Sequence, residues 1–178
     1  VSASSDGVFY AFHDGFEEEL LGVAGRNIQS MSSWEIDRLV YKWVDRPGRP
    51  ASVERLLALL SPFRGQNVLF ALDRSWWRWP QLLKLLDGSG MRNQLLLKVP
   101  SWEQDALRKL QQHPVGYATI GICSHEAEVQ TLLGFDEVNV VGVELLASFT
   151  DSPWFDREVL ADLRARGLAT WVNSMTLT

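Results

Sequence analysis

Leu95-Leu96-Leu97-Lys98-Val99-Pro100-Ser101-Trp102-Glu103-Gln104-Asp105-Ala106-Leu107 is an apolar run, interrupted only by Lys98, that turns within a few residues into an amphipathic stretch. A short apolar run without polar alternation suits a strand covered on both faces, as in a parallel sheet. The stretch after it, about Trp102–Gln112, carries apolar residues at helical spacing. The same grammar repeats outward from this point. Apolar runs recur at Val68–Leu72, Tyr117–Cys123, Val138–Val143 and Leu168–Val172, and helical stretches at about Pro80–Leu86, His125–Leu133 and Phe155–Arg166. Strand–helix alternation at this spacing predicts βαβ units. No glycine-rich fingerprint follows any run, which argues against a dinucleotide site. The expected fold class is therefore α/β, a TIM-type (β/α) barrel or part of one. Chemistry in such barrels sits at the C-terminal ends of strands, which points to His13, Asp73, Arg74, Ser101, Glu144 and Asn173.

Before Gly65 the pattern is less regular. Asp6-Gly7 reads as a tight hairpin turn with both central residues at positive φ. Val8–Phe12 follows as a strand of aromatic and β-branched residues and runs into His13-Asp14-Gly15. Phe16 to Met31 is irregular. Ser32 or Ser33 caps a helix through Tyr41, with Glu35 in its first turn. The loop Asp45–Pro50 ends that helix, and Ser52 caps the next, whose stripe is Val53, Leu56, Leu57 and Leu60.

The chain has 178 residues, 46% hydrophobic and 22% charged, as expected of one globular domain spanning residues 1–178. A net charge of −5 lacks the basic face with which a sequence-independent nucleic-acid binder displaces counterions, so no nucleic-acid partner is expected. Cys123 is the single cysteine, which excludes an intramolecular disulfide and a thiolate zinc site. Its apolar surroundings predict a small buried hydrophobe. No apolar stretch approaches the roughly 20 residues needed to span a bilayer. Val1–Ser5 has neither a basic start nor an apolar core, so no signal peptide is visible. With one cysteine, this predicts a cytoplasmic protein.

Four segments resemble the glycerophosphodiester phosphodiesterase family, whose members are PLC-like phosphodiesterase TIM barrels. Ser5-Asp6-Gly7-Val8-Phe9-Tyr10-Ala11-Phe12-His13-Asp14 is similar to that family's hairpin, where an Asp-Gly turn leads to a strand ending in His-Asp. Ser33-Trp34-Glu35-Ile36 and Arg49–Leu57 resemble the helical segment that follows. Pro100–Leu107 resembles a serine-ended strand with its helix, and Gly167–Ser174 a late strand ending in Trp-Thr-Val-Asn. The resemblance is collinear from Val1 to Ser174. It implies that a His-Arg-Gly strand and a Glu-x-Asp strand lie upstream of Val1, and a Thr-Asp strand beyond Thr178. The family's Glu-x-Lys falls near Leu72-Asp73-Arg74-Ser75, with the register open by one residue. Its Arg-x-Thr is replaced by Phe16–Leu21.

The resemblance implies hydrolysis of a small-molecule phosphodiester, releasing an alcohol and sn-glycerol 3-phosphate. His13 would be an acid–base group, since imidazole titrates near neutrality. A divalent cation, calcium or magnesium, would be held by carboxylate oxygens, for which Asp73 and Glu144 are the candidates. Arg74, Lys98, Trp171 and Asn173 would bind substrate, the cations through phosphate. Trp76, Trp77 and Trp79 cluster after a strand. They read either as packing at the barrel rim or as contacts to a choline-like head group, an apolar chain or a sugar face. Trp34 and Trp43 are expected to lie on a helix and to be core or rim packing residues. The competing expectation is a degenerate barrel that binds or regulates without cleaving.

Overall fold

The computed structural model describes residues 1–42 and 51–174. They fall into two compact units, one of Val1–Val68 and Pro80–Met91, the other of Leu69–Trp79 and Arg92 onward. The loop expected at Asp45–Pro50, and Trp43, lie outside the described residues.

In the second unit the strands β3 (Phe70–Leu72), β4 (Leu95–Pro100), β5 (Ala118–Cys123), β6 (Val140–Leu146) and β7 (Ala169–Asn173) form one sheet, every neighbouring pair parallel. The spatial order is the sequence order, β3-β4-β5-β6-β7. A doubly wound sheet reverses strand order at a switch point. A sheet that adds each new strand to the same side is the arrangement of an α/β barrel, here a partial one, so the expected fold class holds. The intervening helices are α4 (Gln104–Gln111), α5 (Glu126–Leu133) and α6 (Arg157–Ala165). They begin where the local chemistry places them. Glu128 reaches back to the Ser124 amide at 2.5 Å at the start of α5, and Asp156 caps α6 through the Glu158 amide at 2.7 Å.

The two faces of this sheet differ. Leu72, Leu95, Leu97, Val99, Gly121, Cys123, Val143 and Leu145 alternate onto one buried face. Helix α5 lies so close there that a Cβ on Gly121 would stand 2.0 Å from Leu132 Cδ2. Cys123 is buried as expected, and burial pushes its thiol up to about 11. The other face carries Asp73, Lys98, Ile120, Glu144, Trp171 and Asn173, with Ala71 and Ala169 exposed.

The first unit contains a small antiparallel ribbon, β1 (Ser2–Ala3) with β2 (Phe9–Tyr10), and the short helices α1 (Ser33–Ile36), α2 (Leu56–Leu60) and α3 (Gln81–Asp87). Tyr10, Phe12, Ile28, Met31, Ile36 and Val53 form its core. Several local expectations are corrected here. The ribbon turn is a three-residue loop closed by Gly7 N–H to Ser4 O at 3.0 Å; only Gly7 has positive φ (85°), and Asp6 does not. That is the turn-plus-αL-glycine solution rather than a two-residue one. The strand expected over Val8–Phe12 is paired with β1 only at Phe9–Tyr10. Beyond it Ala11 N–H donates instead to Glu54 O of the same unit, at 2.9 Å.

Helix α1 stops at Ile36, well short of Tyr41. Val40 pairs in extended form with Ser52, and Tyr41 N–H donates to Ala51 O. The same pairing removes Ser52 from its expected capping role, and α2 starts at Leu56 with Arg55 as its N-cap. Trp34 is 65% exposed under the Arg38 guanidinium, 3.6 Å from the ring centre, and so does not pack in the core. Among the described residues no helix is long and apolar enough to cross a membrane.

Candidate functional site

The residues at the strand ends of the second unit converge. Asp73 directly follows β3, one register step from the Leu72–Leu97 pair, which puts it beside Lys98 of β4. Lys98 stands opposite Ile120 on β5, and Glu144 of β6 stands opposite Ile122. The lysine stem therefore crosses β5 to reach Glu144. Its Nζ lies 2.8 Å from Asp73 Oδ2 and 2.5 Å from Glu144 Oε2. Asn173, at the end of β7, donates from Nδ2 to Glu144 Oε1 at 2.7 Å. Asp73 Oδ1 accepts from the Arg74 amide at 2.8 Å. Each of the four carboxylate oxygens thus faces a donor.

Burial decides how these charges behave. The Glu144 side chain is 5% exposed and Lys98 12%, whereas Asp73 is 41% exposed. Burial opposes the charge on Lys98, but the Asp73 and Glu144 carboxylates outweigh it and hold the amine's pKa above its ordinary value. The amine is therefore an ammonium at neutral pH. It gains two carboxylates, and Glu144 is paired where an unpaired buried carboxylate would be costly.

Around this cluster stand the other candidates. Arg74 has φ of 53°, alone among the described non-glycine residues in being positive. Strained backbone of this kind persists where the surroundings over-determine it; here the Asp73 carboxylate grips the Arg74 amide. The Arg74 guanidinium lies 5.6 Å from the Trp77 ring centre. Trp171, paired with Glu144 in the β6–β7 register, is 37% exposed. Of the three clustered tryptophans, Trp76 and Trp79 are 8% and 1% exposed and are packing residues; Trp77 is 42% exposed. Ser101 is fully buried, and its hydroxyl has no hydrogen-bond partner among the described residues. Between the loops after β5 and β6 lies a cleft of about 380 Å³ lined by Ser124, His125, Leu146, Phe149, Asp151 and Trp154.

His13 belongs to the first unit. Its ring is exposed, with Nδ1 2.9 Å from Asp14 O and its face edge-on to Phe16 at 5.0 Å. The loop that carries it is fixed by Glu17. This carboxylate is 5% exposed and accepts from the Gly15 amide at 2.7 Å and the Ile28 amide at 2.9 Å. Sequence reasoning missed Glu17, because an acidic run Glu17-Glu18-Glu19 looks like any solvated segment. It also missed a second cluster in this unit. Arg55 forks onto Asp37 at 2.5 and 3.2 Å, and Tyr10 donates to Asp37 at 2.8 Å. Arg55 holds the Asp37 carboxyl below the usual range, while burial, then Asp37, pushes the Tyr10 phenol up to about 12. The 18-residue gap between Asp37 and Arg55 carries no motif that reveals this pair.

A divalent cation does not fit Asp73 and Glu144 as they stand. The position between them is filled by the Lys98 ammonium, and their remaining oxygens face the Arg74 amide and the Asn173 side chain. Calcium takes six to eight oxygen ligands and magnesium a near-octahedral set. Among the described residues no group of three or more His, Cys, Asp or Glu side chains converges on one point.

No protein-family model and no curated protein matches the sequence. The structure is similar to the crystal structure of glycerophosphodiester phosphodiesterase from Agrobacterium tumefaciens str. C58, with TM-score 0.69 and 22% identity, over 97% of this chain and 71% of that one. It is similar also to a glycerophosphoryl diester phosphodiesterase from Parabacteroides distasonis ATCC 8503, with TM-score 0.69 and 15% identity, over 96% of this chain and 58% of that one. Both neighbours bear out the resemblance at the level of the fold. Over the portion of those enzymes that it spans, the chain has the glycerophosphodiester phosphodiesterase fold, a partial α/β barrel.

Proposed function

We propose that this chain, as one domain over residues 1–178, belongs to a phosphodiester hydrolase acting on small glycerophosphodiesters and releasing sn-glycerol 3-phosphate and an alcohol. The observation that carries the reading is the convergence of Asp73, Lys98, Glu144 and Asn173 at the C-terminal ends of parallel strands in this fold. That is where α/β barrels place their chemistry. In this reading Lys98 and Arg74 attract the phosphate oxygens, Trp171 borders the ester, and Asn173 keeps Glu144 oriented. His13 is accessible to a ligand and chemically able to give or take a proton. The protein works on a soluble substrate in the cytoplasm, with Trp77 the exposed aromatic that can meet a head group.

The test is an assay of the full-length protein for glycerol 3-phosphate release from a panel of glycerophosphodiesters, with and without divalent cations. The reading expects turnover that falls by at least roughly 100-fold in His13→Ala, the usual contribution of general acid–base catalysis. A folded protein with no release under any condition would remove it.

A second reading, a barrel that binds without cleaving, is favoured by one specific observation. Both carboxylates already neutralise Lys98, so the three side chains together carry one negative charge, and a phosphate must rely on Arg74 for net attraction. Saturable binding of glycerol 3-phosphate without turnover, lost in Arg74→Ala, supports that alternative.

A further inference from the structure

We infer that the ammonium of Lys98 is a built-in cation that takes the place of a divalent ion between Asp73 and Glu144, and that removing it unmasks a divalent-cation site. Geometry carries the inference. One Nζ stands within 2.8 Å of both carboxylates, which sit at the end of β3 and on β6 with two strands between them. Two carboxylates on a rigid sheet, one of them buried, repel each other unless a positive charge lies between them. The sequence supplies that charge covalently, from β4, so it is always present and cannot be chelated away. An ammonium donates hydrogen bonds to oxygen and fixes charge, as a hard metal ion does, but with two of its three donors on Asp73 and Glu144 it keeps a single donor where a metal ion would keep several open positions.

Without the ammonium, the Asp73 and Glu144 carboxylates remain on either side of the vacated position, with the Asn173 side-chain amide on the other oxygen of Glu144. Rotation of that amide would present its carbonyl oxygen, giving hard oxygen donors from β3, β6 and β7. Carboxylate and carbonyl oxygens with water completing the shell suit calcium or magnesium. The inference concerns these side chains alone and stands whether or not the protein cleaves a phosphodiester.

The experiment is titration of the protein and of Lys98→Met with CaCl₂ or MgCl₂, followed by calorimetry and by the melting temperature. The wild type is expected to show no saturable binding at Asp73 and Glu144. Lys98→Met is expected to bind one ion at least roughly tenfold more tightly, with a rise in melting temperature that disappears when Glu144→Gln is added. Wild-type binding that is lost in Glu144→Gln would overturn the inference, and so would a folded Lys98→Met protein that binds no better than wild type. Should Lys98→Met fail to fold, Lys98→Gln keeps donors for both carboxylates and carries the same two outcomes. Nitrogen-15 spectra of the wild-type lysine ammonium groups give an independent reading. A Lys98 signal unmoved by the added ion supports the inference, and one displaced by it overturns it.

Discussion

The two units are held together by different means. In the second, backbone hydrogen bonds between parallel strands and an apolar face under helices do most of the ordering, and side-chain polar bonds gather at the strand ends. In the first, strands are two residues long and the loops are tied by side chains reaching backbone: Glu17 to Gly15 and Ile28, Asp6 to Ser33, Ser2 to Phe12 O. Apolar burial is non-directional and tolerates approximate sequences, whereas a carboxylate clamp needs one residue in one place. The second unit is therefore expected to lose stability through cavities, and the first through orphaned amides.

The largest effect is expected for Leu97→Ala. Leu97 is fully buried in the middle of β4, with parallel neighbours on both sides. Truncation there removes apolar contact and leaves a cavity, at a cost of about 2–5 kcal/mol. Urea denaturation should show a lower midpoint with little change in slope. A loss below about 1 kcal/mol, far under that range, would mean that the sheet face is not where the second unit draws its stability.

Glu17→Ala should cost less, about 1–3 kcal/mol, because it leaves two amide donors without their acceptor in a partly buried loop. Its mark is local. Hydrogen exchange at Gly15 and Ile28 should quicken before exchange in β4 or β5 does. Uniform quickening across both units would show that the clamp is not local, and the contrast between the units would fail.

That contrast also explains what was legible in the sequence. Each apolar run in Val68–Val172 became a strand within a few residues of its expected limits, since a strand buried in a parallel sheet must be apolar throughout. Lys98 was visible as the one charge inside such a run. Its partners were visible only as strand-end residues, because proximity across β5 depends on register, which no local pattern encodes. The first unit resisted reading for the converse reason. Ser32 and Glu35 do form the capping box their spacing suggests, yet the helix yields after one turn to long-range pairing of Val40 with Ser52. Propensity is a weak prior against such tertiary pairing.

A smaller effect separates the two ion clusters. Arg55 and Asp37 are 52% and 35% exposed, unlike Lys98 and Glu144. Exposed pairs couple by roughly 0.2–1 kcal/mol in double-mutant cycles. The cycle through Arg55→Ala and Asp37→Ala should fall in that range, with Tyr10 bonded to the same carboxylate favouring its upper end. Coupling that exceeds the effect of Glu17→Ala would reverse the order argued above.

The smallest expected effect lies in the acid range and turns on sign. The Ser33 hydroxyl, helped by Ser4 and the Ser33 amide, holds the Asp6 carboxyl at about 2 instead of 3.8. The Ser32 amide, helped by Arg26, holds Glu35 at about 2 instead of 4.5. Both folded values are depressed, so the unfolded chain takes up protons first as pH falls. The stabilisation is then fully present above the unfolded values and is lost as pH drops through them toward about 2. Both groups lie in water, where salt and solvent screen them, so the effect is smaller than that of any buried change. Urea midpoints of Asp6→Asn and Glu35→Gln should lie below the wild type near neutral pH and converge with it near pH 2. A gap that stays constant across that range would show that the two carboxylates act through shape or hydrogen bonding alone, and that charge contributes nothing to the tie of Asp6 onto Ser33 or to the cap that Glu35 makes with Ser32.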